Sequence, residues 1–417
     1  MQCATRRRLG ARRGARLPAR LGGRPGGGVA HALRLDGRDR VLVLAPHPDD
    51  ETLAAGGLLQ YARARGASVR VVFATDGDNN PWAQRAVERR WRISAADRAR
   101  FGARRRREAL AALARLGVAA RDAEFLGYHD QGLTALLMEG GQVPCARLTR
   151  CMASFRPTLV VAPAPADLHP DHSALGVLVD FAFERWAARR TSVRLMHYLV
   201  HELRGDTART ARAATGRRVL VPLPYRERLR KRRAMFAHGT QLVLRRRMLL
   251  TRAADPETFV VARDAACDVH ARFAGGAPET AGADGRLWLS LQRRVRLGAC
   301  GATTILLAVD GRIPRRLQGR LGHRSRVVHL RDVATGAYAD TRILVRRAVH
   351  RLELGMAASL FADARRAYVK LERRFGFFDE AGWQPIALHA ARAATVERAR
   401  ARRPARRDTH AAAGARR

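Results

Sequence analysis

An α/β fold, a Rossmann-like three-layer sandwich on a mostly parallel sheet, followed by a smaller β-rich, sandwich-like domain, is what this sequence predicts. Three observations carry it. Val41–Ala45 is a continuous apolar run, the mark of a strand buried on both faces of a parallel sheet. Strand-like and helix-like stretches then alternate as far as Ala262. Beyond Gly285 the spacing shortens to β-type runs separated by turn signals.

The elements follow in order. After Val41–Ala45, Glu51–Arg65 carries Leu53, Leu58, Leu59 and Ala62 at helical spacing, and Ser68–Ala74 reads as the second strand. Helices are expected near Ala103–Leu116, Cys145–Phe155 and Ser173–Ala188, each followed by a strand: Glu124–Leu126, Thr158–Ala162 and Ser192–Leu199. Trp82–Arg100 fits no clean period and is expected as a loop or short helix. Thr258–Ala262 closes the domain as a final strand. Gly275–Gly285, rich in Gly, Ala and Pro, reads as linker. Leu287–Leu289, Thr303–Val309, Arg326–Leu330 and Arg342–Val345 are the short runs of the second domain. The resulting division is a disordered Arg-rich tail (1–37), an α/β domain (38–263), a linker (264–285), a β-rich accessory domain (286–389) and an Arg/Ala-rich tail (390–417). Phe377, Phe378 and Asp379 with Gly382 and Trp383 are expected to pack aromatics onto the accessory or the α/β domain.

The formal net charge is +42, and Lys231 and Lys370 are the only lysines among 79 basic residues. A nucleic-acid binder gathers such charge into a patch. Here the arginines are spread along the chain, and no zinc finger, paired RNP-like aromatics or KH-type loop is present, so no specific nucleic-acid partner is expected. High Arg with high Ala reads as compositional bias. Five cysteines without a CxxC pair fit a reducing, cytoplasmic setting. No apolar run approaches the roughly 18 residues of a membrane span, and Met1–Leu35 lacks the apolar core of a secretory signal. Oligomeric state is not legible.

Two segments carry chemistry. Pro46-His47-Pro48-Asp49-Asp50-Glu51 follows the first strand, and His169-Pro170-Asp171-His172 follows the strand Thr158–Ala162. In an open α/β sheet the ligand site lies outside the carboxyl ends of the strands, so the fold brings both segments together. An open catalytic zinc site takes about three N/O ligands, which two imidazoles and one carboxylate supply. A single His-Pro-Asp is ordinarily a polar turn; two at buried strand exits in one sheet are not. Among weaker candidates, Arg105 reaches either a substrate hydroxyl or phosphate, or solvent from a charged helix face. Asp130 with His129 lines a pocket or is plain loop polarity, and Asn79, with Asn80 and Trp82, is a candidate substrate-facing lip. Glu51 sits in a first helical turn, where a carboxylate suits the dipole regardless of catalysis.

These segments resemble the two signature motifs of the PIG-L/LmbE-like de-N-acetylase family. Supporting matches are Thr75-Asp76-Gly77, Arg105 with Glu108 and Leu116-Gly117, Phe125–Tyr128 with Asp130, and Lys231 followed by His238-Gly239-Thr240-Gln241, where Thr240 stands in place of the family's common Ser. The resemblance covers roughly Arg38–Ala262. It implies His47, Asp50 and His172 as ligands of one Zn2+ per chain, other divalent metals being possible. It also implies Asp49 as general base and His169 as the group that polarises the carbonyl and, as an imidazolium, stabilises the oxyanion, with Asp171 orienting it. The implied reaction is hydrolytic removal of an N-acetyl group from an N-acetylglucosamine-type sugar or glycoconjugate. An amidase acting on a sugar-thiol conjugate and a catalytically silent carbohydrate-binding or scaffold protein are the alternatives.

Overall fold

The structure, a computed structural model, describes residues 31–188, 190, 192–201, 217–254, 256–262, 286–292, 303–348, 351–373, 378–379, 381–386 and 388. The expected linker 264–285, the tail 390–417, residues 1–30 and Phe377 lie outside the described residues.

The first domain is built on an eight-stranded sheet of β1 (His31–Ala32), β2 (Arg40–Ala45), β3 (Ser68–Thr75), β4 (Ala123–Tyr128), β5 (Leu159–Pro163), β6 (Arg194–Tyr198), β7 (Arg218–Val221) and β8 (Glu257–Val261). Its order is β1-β7-β8-β6-β5-β2-β3-β4, with only β8 running against its neighbours. β2 shows why apolar runs form the centre. Val41 and Val43 enter one core and Leu42 and Leu44 the other, because successive side chains point to opposite faces. Helices α1 (Asp50–Ala64), α2 (Pro81–Glu88), α3 (Ala95–Arg115), α4 (Leu133–Met138), α5 (Gln142–Phe155), α6 (Pro170–Ala187), α7 (Tyr225–Met235) and α8 (Gly239–Arg252) surround it.

Two boundaries differ from expectation. The domain starts before Arg38: His31–Ala32 pair with Val219 and Leu220, Leu33 and Leu35 are buried, and Tyr61 donates to the Leu33 carbonyl at 2.9 Å. Two leucines in so short a stretch give no readable period. The Trp82–Arg100 stretch holds α2 and the start of α3. Ser94 accepts from the Asp97 N–H and Asp97 accepts from the Ser94 N–H, a capping box that begins the helix eight residues before the periodic apolar face shows. Beneath α1, buried Lys231 donates to Glu257 at 2.6 Å and to the Leu53 carbonyl at 2.9 Å, while Glu257 accepts from the N–H groups of Gly57 and Leu58.

The second domain is one antiparallel sheet of β9 (Arg286–Gln292), β10 (Thr303–Gly311), β11 (Arg315–Leu321), β12 (Val327–Asp332), β13 (Tyr338–Ala348), β14 (Arg351–Ala357), β15 (Ala364–Arg373) and β16 (Gln384–Pro385), in the order β16-β15-β10-β11-β12-β13-β14-β9. The expected β-rich module is present, its layers formed by one sheet curled round its own core as a half-barrel. Alternation along β10 joins the domains: Ile305, Leu307 and Val309 fill the half-barrel core, whereas Leu306 and Ala308 enter the core beneath α6. Trp383, fully buried, packs into that same shared core.

Candidate active site

β2 lies between β5 and β3, and the chain proceeds from β3 to β4 on one side and from β5 to β6 on the other. The strand order therefore reverses at β2/β5, the switch point where open α/β sheets hold their ligands. Both motif loops leave these two strands at that edge. The first turns into α1 at Asp50; the second enters α6 with Pro170 at its first turn, where a missing N–H costs nothing.

His47, Asp50 and His172 are buried together, with ligand atoms mutually within 4.8 Å. Asp50 Oδ2 lies 3.2 Å from His47 Nδ1 and 3.1 Å from His172 Nε2. Despite full burial, neither ring nitrogen of His172 is aligned for a hydrogen bond, although Nε2 lies 3.1 Å from Asp50 Oδ2 and Nδ1 3.4 Å from Asp167 Oδ2. Such an orphan in a polar pocket, facing a carboxylate and a second imidazole, fits a divalent cation of the zinc type. A second grouping of His47, His169 and Asp171 is equally compact. Its Asp171 oxygens are already taken, by the N–H of Gln131 at 2.6 Å and of Leu133 at 3.1 Å, so the first grouping fits better.

Electrostatics agree. Burial opposes charge on His47, but the carboxylates of Asp130, Asp171 and Asp50 outweigh it and hold the imidazole well above its ordinary value. His172 is likewise pushed to about 9, burial being overcome by Asp50 and Asp167. Burial would lift Asp50, yet His172 and His47 keep it well below the usual carboxylate range. This surplus of carboxylates is one that a bound cation would balance with both imidazoles neutral.

Asp49 adopts φ 135°, a region costly for a side chain with a Cβ. Two partners hold it, one of them braced in turn by His238. Its N–H donates to Glu51 Oε2 at 2.9 Å, Glu51 Oε1 lies 3.1 Å from His238 Nε2, and Asp49 Oδ1 lies 3.2 Å from Arg105 Nη2. Burial and the neighbouring Asp50 push its carboxyl up to about 6, with Arg105, His238 and His47 pulling the other way. The sequence assigns Glu51 only to the helix dipole; the structure shows it fully buried and gripping the Asp49 backbone. Glu108 accepts from Thr240 Oγ1 at 2.6 Å, joining the α3 and His238-Gly239-Thr240-Gln241 segments.

His169 is held differently from the expected imidazolium. Its Nδ1 accepts from the Asp171 N–H at 3.2 Å, and burial together with His47, His172 and His201 keeps its pKa well below the ordinary value. A neutral ring whose Nδ1 is an acceptor carries its proton on Nε2, so His169 is a neutral donor. The Asp171 carboxylate serves His47, 3.2 Å from Nε2, rather than orienting His169.

The three weaker candidates are occupied inside the protein. Arg105, buried rather than on a solvated face, donates to the carbonyls of Pro48 at 2.7 Å and Gly77 at 2.8 Å. Gly77 has φ 63° and a Cβ there would collide with the guanidinium, so glycine is required. Asp130 Oδ1 stands 3.1 Å from His47 Nε2, and Asn79 donates its N–H to Asp130 Oδ2 at 3.0 Å. Sequence reasoning missed Asp167 and His201. Asp167 Oδ2 lies 3.4 Å from His172 Nδ1 and accepts from the N–H groups of Val200 and His201. The His201 ring packs on those of His172 and His169, at 4.7 and 5.3 Å between centroids.

Residues 42–183 match the family model "PIG-L: GlcNAc-PI de-N-acetylase". The match takes in both motif segments, Pro46–Glu51 and His169–His172. It is similar to a 1D-myo-inositol 2-acetamido-2-deoxy-alpha-D-glucopyranoside deacetylase of Mycolicibacterium vanbaalenii, 35% identical over 152 residues, which cover 32% of this chain and 50% of the relative. The Nocardia farcinica protein of the same description is 30% identical over 199 residues, 44% of this chain and 64% of the relative. The chain thus spans about half to two-thirds of these relatives. Among solved structures it is similar to N,N'-diacetylchitobiose deacetylase from Pyrococcus horikoshii, at 22% identity and TM-score 0.40, covering 54% of this chain and 83% of that one.

Proposed function

We propose that the chain is a metal-dependent de-N-acetylase that hydrolyses the acetamide of an N-acetylglucosamine-type sugar or glycoconjugate. The observation that carries this reading is the buried His47–Asp50–His172 group, whose ligand atoms lie within 4.8 Å of one another, beside an Asp49 held near pKa 6. The relatives' descriptions as deacetylases of an acetamido sugar support the substrate class.

His47, Asp50 and His172 would hold one Zn2+ or similar divalent ion. When bound, such an ion acidifies water and polarises a carbonyl. Asp49, ionised at neutral pH yet more basic than an ordinary carboxylate, takes the proton from the attacking water. Arg105 and Glu51 keep it aimed. His169 donates from Nε2 to the carbonyl oxygen, a preformed donor where negative charge develops. Asp171 and Asp130 fix the His47 ring and Asp167 the His172 ring, the outer contacts that orient metal-binding imidazoles. The leaving amine receives its proton back from Asp49.

Acetate release by the zinc-loaded protein, measured against free, lipid-linked and nucleotide-linked N-acetylglucosamine, tests this. Release from at least one, abolished by a chelator, is expected. No release from any, in a protein that retains metal, would sink it.

A further inference from the structure

Residues 225–252, which form α7 and α8, contain one acid, Glu227, among nine arginines and Lys231. α7 buries one side, where Lys231, Ala234 and Met235 point into the body of the domain. Tyr225, Leu229 and Phe236 recur at intervals of four and seven residues, one and two helical turns, and so share the opposite side. All three are exposed, Tyr225 at 67% and Phe236 at 41% of its surface. A helix that needs one apolar face to fold thus carries a second one turned outward.

At 3.6 residues per turn, the exposed Arg228 and Arg232 flank this stripe on one side and the exposed Arg226 and Arg233 on the other. α8 extends the patch. The Arg246 guanidinium lies 5.5 Å from the centre of the Phe236 ring, and Val243 and Leu244, 50% and 51% exposed, precede three exposed arginines at 245–247. Among the described residues, none of these seven arginines pairs with a carboxylate. Single exposed apolar side chains are ordinary, but a set of them rimmed by charge marks an interaction surface. Two polyanions attract arginine, a nucleic acid and an anionic membrane. Exposed Leu and Val gain nothing from a phosphate backbone, whereas at a bilayer they leave water while the arginines meet lipid phosphates.

We propose that the α7–α8 surface is a peripheral docking site for an anionic lipid bilayer. Tyr225, Leu229, Phe236, Val243 and Leu244 enter the headgroup boundary, and the flanking arginines hold lipid phosphates. α7 then lies along the membrane surface rather than across it. The proposal does not depend on the de-N-acetylase reading.

The test is flotation of full-length wild type with vesicles of phosphatidylcholine alone and of phosphatidylcholine with phosphatidylserine. Arginines elsewhere in the chain also attract anionic vesicles, so the decisive comparison is with Leu229→Ser/Phe236→Ser, whose charge is unchanged. This variant should bind the anionic vesicles at least about tenfold more weakly, the loss expected for two partly buried apolar side chains. Arg228→Gln/Arg232→Gln should lose about 25-fold on the same vesicles, roughly fivefold per cation, and leave binding to phosphatidylcholine alone unchanged. As a second reading, Phe236→Trp should gain fluorescence that brominated lipid quenches beyond the quenching of wild type. Equal vesicle affinity in wild type and the serine variant, with no added quenching in Phe236→Trp, would overturn the proposal. So would a wild type that binds a DNA duplex and ignores the vesicles, or one that dimerises without binding lipid and becomes monomeric in the serine variant.

Discussion

Asp49 Oδ1 lies 3.2 Å from Arg105 Nη2, and the same guanidinium donates to the carbonyl of Pro48, the residue before Asp49. One buried side chain from α3 therefore holds both the carboxylate and the backbone of a residue at φ 135°. A rigid fork suits this, since three acceptors are served from fixed directions; a lysine offers a single point charge.

Arg105→Lys should accordingly keep its metal and lose roughly 10²-fold in turnover, the cost of a small misplacement of a reacting group. Metal content by atomic absorption and kcat on the best substrate check it together. Wild-type turnover in this variant would mean that Asp49 does not depend on the guanidinium.

Asp49→Asn separates base from ligand. The amide cannot take a proton from water, and general-base contributions are about 10²–10⁴-fold. Turnover should fall within that range at unchanged metal stoichiometry. A variant within a few-fold of wild type would make Asp49 structural only.

The grip on His172 is tested through Asp167. Oriented imidazole ligands typically lose about 10–100-fold in metal affinity when their outer partner is removed. Asp167→Asn should weaken zinc affinity by that amount, and His172→Ala should leave little zinc bound after dialysis. Equal zinc affinity in wild type and both variants would contradict the assignment of His172 as a ligand.

Part of this site is legible in the amino-acid sequence. Val41–Ala45 and Thr158–Ala162 are apolar runs that announce central strands, and each is followed within a few residues by its motif, so placement follows from strand position alone. The pairings across the site are not legible. Asp171 and His47 are 124 residues apart, and nothing local distinguishes a carboxylate that serves its neighbour His169 from one that serves a distant ring. Asp167 and His201 sit on loops without periodicity, and their roles exist only once β5 and β6 lie side by side. Arg105 is hidden among arginines, Arg104 to Arg107, where burial cannot be read from residue type. The aromatic edge of Phe378 and Trp383 is visible, but its two candidate partners are separable only by the fold.

The domain junction supplies the last prediction. Asp180, buried on α6, lies 2.9 Å from His197 Nε2 and accepts from the Tyr368 hydroxyl of β15. Burial works to raise its carboxyl, but His197, Arg366 and the Tyr368 hydrogen bond outweigh it and hold the group below its ordinary value. The folded pKa therefore lies under the unfolded value of about 3.9. The stabilisation is fully present above that value and is lost as pH falls below it towards the folded pKa. Asp180→Asn, which keeps the shape and removes the charge, should cost about 1–3 kcal/mol at pH 7, the size of a charge-assisted buried hydrogen bond. The gap in Tm between wild type and variant should narrow between roughly pH 4 and pH 3. A gap that stays constant or widens between pH 4 and pH 3 would show that the Asp180 charge does not tie the half-barrel to α6.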